Sequence, residues 1–129
     1  MIRLLALDMD GTCLNGRSRM TEETIRTIRK AADAGIIIVP TSGRPLTCLP
    51  YQMTQEKGLY RYTITSNGAQ VVDLEEKKTL FRMLMKRERV VQFLRECEEL
   101  NVVRMTHIQH RYVMEGPLME VAGRIVYGR

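Results

Sequence analysis

The sequence predicts an α/β fold with a Rossmann-like parallel sheet, and three observations support this prediction. Two short apolar runs, residues 2–8 and 36–39, lie on either side of a segment with helical spacing of apolar residues. That order, strand then helix then strand, is typical of a βαβ unit in a parallel sheet. A third apolar run, residues 62–65, follows, and each run ends in a polar turn. With 129 residues, 44% of them hydrophobic, the chain can bury one core.

The first βαβ unit can be justified element by element. Residues 2–8 are mostly apolar, which predicts a strand covered on both faces. Thr21 is a suitable N-cap for the helix, and two acidic residues follow it in the first turn. Gly35 is a suitable C-terminal stop, and residues 36–39 are predicted to form a second buried strand. The apolar positions that recur at helical spacing are Ile25, Ile28, Ala31 and Ala32.

The segment after the second strand is predicted to begin a helix and then return to the sheet. Pro45 suits the first turn of a helix, which Pro50 must kink or end. Residues 62–65 are predicted to be the third strand, with the polar turn 66–68 after it. The predicted buried side of the short helix is Leu46, Leu49 and Met53.

The pattern changes after residue 68. Residues 70–73 and 79–83 resemble two strands around a turn, and residues 102–108 and 111–115 resemble a second hairpin. Between them, residues 87–100 have the periodicity of an amphipathic helix. We therefore predict a core domain at residues 1–68 and a partial α+β cap domain at residues 69–129. The predicted inward side of the helix is Val90, Val91, Leu94, Cys97 and Leu100.

Composition excludes several classes of protein. The net charge of +5 suits an anionic ligand, but no recognition motif or interleaved aromatic residue points to nucleic acid. No apolar run is long enough to span a membrane, and the N-terminus lacks the pattern of a signal peptide. The three scattered cysteines, Cys13, Cys48 and Cys97, suit reduced thiols better than a disulfide framework. We therefore expect a cytoplasmic protein.

The three polar turns are predicted to meet at one crevice. They are residues 8–12, 41–44 and 66–68, and each follows a predicted parallel strand. Open α/β sheets bind ligands at the carboxyl ends of their strands. Three turns suited to phosphate at one edge of the sheet carry more weight than any one of them alone.

The first turn places two carboxylates, Asp8 and Asp10, two residues apart, where like charges repel. A Mg²⁺ ion between them would convert repulsion into coordination, and a carboxylate held there can attack phosphorus. Gly11 would let backbone N–H groups approach phosphate oxygens, as would Ser42 and the Gly43 amide from the second turn. The alternative is that the two aspartates only shape a turn.

The segments "DMDGT", "TSGR" and "SNGA" resemble the first two motifs, and the entry to the cap, of haloacid dehalogenase-like phosphatases. The spacing is most similar to the Cof-type branch, whose α/β cap, of the type called C2B, follows the third core strand. The resemblance covers residues 1 to about 115 and implies a phosphatase that works through an aspartyl phosphate. It implies Asp8 as the nucleophile and Asp10 as the general acid and base.

The same resemblance implies a ligand set for metal and phosphate. Mg²⁺ would be held by the Asp8 carboxylate and the backbone carbonyl of Asp10. Ser42 aligns with the phosphate-binding hydroxyl of the second motif. The remaining residues that the resemblance places around the phosphate are Gly11, Thr12, Gly43, Arg44 and Asn67.

This chain departs from the family pattern after the cap. The lysine of the third motif and the acidic pair of the fourth are absent. Lys77, Lys78 and Lys86 lie in the cap-like stretch, and Asp33 and Asp73 lie in the wrong contexts to replace the acidic pair. We therefore expect a truncated chain: a natural truncation, an expressed fragment or half of a two-chain assembly. The sheet edge beside the Asp8 strand should be unpaired, which would favour a homo-oligomer.

Three functional hypotheses follow. The first is Mg²⁺-dependent hydrolysis of a small phosphorylated metabolite, such as a sugar phosphate, with weak or no activity in this chain alone. The second is a non-catalytic remnant of the fold, or an association module. The third, a phospho-accepting receiver, is disfavoured because the third strand ends in Ser66 and Asn67 rather than an aspartate. His107 and His110 suit surface or cap packing better than a zinc site, which needs more ligands.

Overall fold

A computed structural model describes residues 2–50, 58–100, 102–108 and 111–116. Contacts between residues divide the chain into two compact units, Met1–Met83 and Leu84–Arg129. The first unit contains a five-stranded sheet, and the second contains a two-stranded sheet. Within the described ranges, no helix is long and apolar enough to cross a membrane.

The first unit confirms the predicted α/β fold. Its strands lie in sequence order across the sheet; the first three are parallel, and the last two continue as an antiparallel meander. The elements are β1 (Leu4–Asp8), α1 (Glu22–Asp33), β2 (Ile37–Thr41), β3 (Tyr62–Thr65), β4 (Gln70–Asp73) and β5 (Lys78–Arg82).

The register of the parallel strands aligns their carboxyl ends. Asp8 at the end of β1 lies beside Thr41 at the end of β2, and Thr41 lies beside Ile64 of β3. The loops that follow these three strands therefore begin at one edge of the sheet, as predicted.

Helix α1 begins and ends where its sequence signals predict. The Thr21 side chain accepts a hydrogen bond from the Thr24 amide at 3.1 Å, which satisfies one of the unpaired N–H groups of the first turn. Gly35 adopts a φ of +83° just after the helix, and its amide donates to the Ala32 carbonyl. The helix buries Ile28 against the core that β2 lines with Ile38.

Strand β1 is less buried than its composition predicts. Leu4 is 52% exposed and Leu5 is 36% exposed, so the expectation of a strand covered on both faces is wrong. Among the described residues β1 pairs only with β2, which makes it an edge strand of the sheet. An apolar composition cannot bury a strand that has no neighbour on one side. Within the described part of the chain, the predicted unpaired edge is therefore present.

The hairpin of β4 and β5 lies in the five-stranded sheet of the first unit. It was predicted to open the cap at residue 69, but β4 pairs with β3 along its whole length and so extends the core sheet. Contacts divide the chain after Met83, later than the predicted boundary at residue 68. The assignment of the later residues to a partial cap stays a prediction.

The helix predicted to begin at Pro45 is a single 3₁₀ turn, Leu46–Cys48. Leu49 then has an extended backbone, with φ −64° and ψ 144°. A residue before proline disfavours the helical region because the Pro50 ring would clash with its backbone. Met53, the last predicted buried position, lies outside the described residues.

The second unit contains helix α2 (Arg87–Glu96), a 3₁₀ turn (Glu98–Leu100) and a hairpin of β6 (Arg104–Ile108) and β7 (Arg111–Glu115). The helix and hairpin confirm the predicted element types. Val91 and Leu100 are exposed, however, so the predicted buried side of the helix is only partly correct. A two-stranded sheet covers too little surface to bury such a helix by itself.

Candidate active site

The first turn is anchored by the residue between the two aspartates. The Met9 side chain is fully buried in the core. Its carbonyl accepts hydrogen bonds from the amides of Thr12, Cys13 and Leu14 at 3.3, 3.1 and 2.9 Å. Gly11 supplies the positive φ, +80°, that the tight turn needs. Because Met9 is fixed inside, the flanking carboxylates are left on the accessible side of the turn.

The two aspartates have different partners. Asp8 Oδ2 accepts a hydrogen bond from the Thr12 hydroxyl at 2.7 Å. Asp10 is held by the Arg44 guanidinium, with Nη2 2.6 Å from Oδ1 and Nε 3.0 Å from Oδ2. A forked pair of this kind is among the stronger ion contacts in proteins. The repulsion expected between Asp8 and Asp10 is therefore offset by a cation from the second turn.

The second turn places Ser42 at the centre of the site. Ser42 is buried, and its hydroxyl accepts the Arg44 amide at 3.1 Å while donating to Asp10 Oδ2 at 3.4 Å. Its own amide donates to the Ile64 carbonyl of β3 at 3.0 Å. Ser42 thus links the second turn both to the first turn and to the neighbouring strand.

The third turn is fastened to the second by backbone hydrogen bonds. The Ser66 amide donates to the Arg44 carbonyl at 3.0 Å, and the Asn67 amide donates to the Ser42 carbonyl at 3.3 Å. Asn67 has a φ of +54°, a conformation that asparagine tolerates better than most residues. Its Oδ1 atom lies 2.7 Å from where a Cβ on Gly43 would stand. A Cβ at position 43 would therefore require the Asn67 side chain to move.

The structure brings the predicted site residues together in three contacting groups. Asp8 contacts Thr12, Asp10 contacts Ser42 and Arg44, and Asn67 lies against Gly43. Sequence reasoning missed Ser18, whose hydroxyl accepts from Arg44 Nη2 at 3.3 Å. Ser18 lies in a segment read only as a loop, and its positive φ of +55° has no signal in the sequence.

Cys13 borders the site, and its environment disfavours the thiolate. Burial raises the pKa of the Cys13 thiol, and the negative charge of Asp8 raises this pKa further. A thiolate is the reactive form of cysteine, so this residue suits packing better than chemistry.

The oxygen donors of the first turn are of the kind that can hold a Mg²⁺ ion. No group of three or more histidine, cysteine or acidic side chains comes together in the described ranges. Mg²⁺ does not need such a group, because it is often held by one or two carboxylates together with waters and substrate phosphate. Asp8 can supply one carboxylate. Since both oxygens of the Asp10 side chain contact Arg44, its backbone carbonyl is the better candidate for a second ligand.

Asp73 and His107 each have a partner of their own among the described residues. Asp73 is only 2% exposed and lies at the opposite end of β3, where it accepts the amides of Glu75 and Glu76 and pairs with Arg61. His107 lies in β6 with its ring edge-on to Tyr112 at 4.6 Å, and burial lowers its pKa. His110 lies outside the described residues, so the histidine pair stays untested.

Comparison with known proteins identifies a family and relatives that are similar in sequence. Residues 5–122 match the family of haloacid dehalogenase-like hydrolases. The chain is 38% identical over 84 residues to 5-amino-6-(5-phospho-D-ribitylamino)uracil phosphatase YcsE of Bacillus subtilis, covering 61% of this chain and 33% of that protein. It is 36% identical over 75 residues to an HMP-PP phosphatase of Yersinia pestis, covering 58% of this chain and 27% of that protein.

Solved structures share the fold. The sugar phosphatase BT4131, of HAD subclass IIB, superimposes with a TM-score of 0.82 at 24% identity. That match covers 98% of this chain and 48% of the other. SMU.1108c from Streptococcus mutans superimposes with a TM-score of 0.81 at 19% identity, covering 98% of this chain and 47% of the other. The chain therefore spans about a quarter to a third of the length of these curated relatives and about half that of these structures.

Proposed function

Because the chain belongs to the haloacid dehalogenase-like hydrolase family, we propose that its three turns form the phosphate-binding end of a phosphatase site. One observation carries the proposal: hydrogen bonds join the turns that follow β1, β2 and β3. These turns bring together two carboxylates, a buried hydroxyl and a guanidinium. The substrate class we propose is a small phosphorylated metabolite, such as a sugar phosphate. The phosphatase names of the relatives support it.

The proposed reaction divides ester hydrolysis into two displacements at phosphorus. Asp8 attacks the phosphorus, and the bond from phosphorus to the ester oxygen breaks. Asp10 gives its proton to the departing alkoxide, which leaves as the alcohol. Asp10 then takes a proton from water as the hydroxide attacks the aspartyl phosphate. This step releases inorganic phosphate, restores the Asp8 carboxylate and returns the proton to Asp10.

A local contact supports the role proposed for Asp8. The Thr12 hydroxyl holds one oxygen of Asp8, which orients the other for attack. For phosphate binding we propose Gly11, Thr12, Ser42, Gly43 and Asn67. Arg44, which the resemblance also places around the phosphate, contacts Asp10 instead. Bound Mg²⁺, held by the Asp8 carboxylate and the Asp10 backbone carbonyl, would supply positive charge that offsets the charge of the phosphoryl oxygens.

The expected activity of this chain alone is low. A lysine and an acidic pair that the family pattern places after the cap have no counterpart among its 129 residues. Loss of a cation that offsets transition-state charge commonly costs about 3 kcal/mol or more.

We propose a cytoplasmic location as well, which the absence of a disulfide among Cys13, Cys48 and Cys97 supports.

Hydrolysis of p-nitrophenyl phosphate, with and without Mg²⁺, tests the proposal. The variants are Asp8→Asn and, as a matched control, Asp33→Asn, which removes an exposed carboxylate at the end of α1. We expect Mg²⁺-dependent turnover that Asp8→Asn abolishes and Asp33→Asn retains. Equal rates in the unmodified chain and Asp8→Asn would refute catalysis by this chain.

A second candidate function, association with another copy of the chain, is favoured by the edge of the sheet. Leu4 and Leu5 of β1 are exposed, as are Ile2 just before this strand and Ile37 of β2 beside it. An apolar edge strand with unpaired backbone groups is a template for pairing with a further strand. Sizing chromatography of the chain and of Leu4→Lys tests this candidate. A dimer that Leu4→Lys dissociates would support it, and a monomer at high concentration would refute it.

A further inference from the structure

The contacts of Arg44 point to a role different from direct phosphate binding. Two of its guanidinium nitrogens, Nε and Nη2, face Asp10 at 3.0 and 2.6 Å. Nη2 also donates to the Ser18 hydroxyl at 3.3 Å, and Nη1 donates to the Cys48 carbonyl at 3.4 Å. The donors of this side chain are thus directed at the protein. We infer that Arg44 is a positioning residue that sets the orientation of the Asp10 carboxylate.

The exposure of the two side chains agrees with a role of Arg44 in orienting Asp10. The Arg44 side chain is 20% exposed, whereas that of Asp10 is 47% exposed. The Arg44 guanidinium is therefore the more buried partner, and the Asp10 carboxylate is the one that a ligand can reach. Ser18 and the Cys48 carbonyl accept further hydrogen bonds from the guanidinium. A side chain held on several sides is a stable support for a group that must meet a substrate.

The forked contact from Arg44 can fix the orientation of the Asp10 carboxylate as well as its position. Two parallel N–H donors fix both the position and the rotation of a carboxylate, which one point charge cannot do. Ser42 adds a third contact, to Asp10 Oδ2 at 3.4 Å. Arg44 and Ser42 therefore fix the plane of the group that must reach the ester oxygen of the leaving alcohol.

This inference rests on the proposed function, in which Asp10 transfers the proton. A general acid must lie within hydrogen-bond reach of the atom that it protonates. Removal of the fork leaves Asp10 in place with its Ser42 contact but freer to rotate. The chemical step should slow, while binding of the phosphate group, assigned to the turn amides and to Ser42, should not change.

Steady-state kinetics separate a positioning role from phosphate binding. Arg44→Ala and Arg44→Lys are measured with p-nitrophenyl phosphate and Mg²⁺, with inorganic phosphate as a competitive inhibitor. We expect kcat to fall about 10- to 100-fold in both variants, as for other groups that orient a reacting residue. KM and the inhibition constant of phosphate should stay within about twofold, since only the orienting contact is lost. A large rise in both constants with kcat retained would overturn the inference.

Two further comparisons sharpen the kinetic test. In an Asp10→Asn background, Arg44→Ala should cause no additional loss of kcat, because the residue acts through Asp10. Arg61→Ala breaks an arginine–aspartate pair at the other end of β3 and should leave kcat unchanged. A further loss in the Asp10→Asn background would overturn the inference.

An activity-independent measurement distinguishes failure of this inference from failure of the proposed function. The side-chain Nε–H resonance of Arg44, identified by its absence in Arg44→Lys, is followed by NMR in the full chain. We expect a protected resonance that shifts in Asp10→Asn and does not move when inorganic phosphate and Mg²⁺ are added. A resonance that is unprotected, that ignores Asp10→Asn or that moves with phosphate would overturn the inference. Absence of turnover with the expected resonance would refute only the catalytic proposal.

Discussion

Replacement of Gly43 by alanine tests how tightly the second and third turns are packed. A Cβ at this position would stand 2.7 Å from Asn67 Oδ1, and ordinary contact begins at about 3.4 Å. The Asn67 side chain must therefore move by about 0.7 Å, the difference between these distances. We expect a loss of about 1 to 2 kcal/mol in the free energy of unfolding, at the lower end for overpacking because a side-chain terminus can yield.

Gly16→Ala is the matched control. Gly16 has no positive φ, and a Cβ there would meet nothing within 4 Å. It should be neutral or stabilising by up to about 1 kcal/mol, because alanine restricts the unfolded chain. Both variants share that unfolded-state gain, so the difference between them isolates the contact with Asn67.

Urea unfolding of the two variants, alone and in an Asn67→Gly background, measures the contact. Asn67→Gly removes the obstructing side chain, and glycine accepts the φ of +54° without strain. The cost of Gly43→Ala should then fall below about 0.5 kcal/mol, as expected for an interaction between two contacting residues. An unchanged cost in that background, or equal stabilities of Gly43→Ala and Gly16→Ala, would refute the reasoning.

Three further predictions concern the contacts of Thr21, Thr12 and Asp73. Thr21→Ala removes the cap of α1 and should cost about 1 kcal/mol, or about 3 to 5 °C in Tm by calorimetry, whereas Thr21→Ser should cost far less. Thr12→Val removes the hydroxyl that holds Asp8, so p-nitrophenyl phosphate turnover should fall about tenfold while Thr12→Ser retains it; equal rates would contradict the role. The pKa of Asp73 is lowered by the hydrogen bond from the Glu76 amide and, to a smaller extent, by Arg61 and the Glu75 amide, although burial opposes this. The ionised Asp73 therefore stabilises the fold fully above its unfolded pKa of about 3.9, and this stabilisation is lost as the pH falls through the folded pKa. Unfolding of Asp73→Asn against the unmodified chain should show a constant difference above about pH 5 that shrinks below about pH 4; a difference that grows on acidification would contradict this sign.

Much of the parallel part of the sheet could be predicted because its signals are local. Helix α1 has its cap at Thr21, its stop at Gly35 and its apolar spacing within one short segment. Strand β3 has the predicted bounds, residues 62–65, because apolar residues and a polar turn delimit it. Each of these signals depends on neighbouring residues in the chain.

The pairing of β4 and the burial of β1 could not be predicted in the same way. Residues 70–73 have strand character, but nothing local tells whether they pair with β3 or begin another unit. The apolar composition of β1 suggests an interior strand, yet its burial depends on whether another strand lies beside it. Both properties depend on contacts between distant segments.

The candidate site shows the same division at the level of single residues. By itself the sequence determined which chemical groups stand after each strand: the carboxylates of Asp8 and Asp10, the Ser42 hydroxyl and the Gly43 amide. Only the tertiary structure decided that Arg44, 34 positions away, would fork onto Asp10. It also decided that Asn67 would occupy the space that Gly43 leaves open. The reason is that parallel register aligns the ends of β1, β2 and β3, and no local pattern encodes the distance between loops that this alignment brings together.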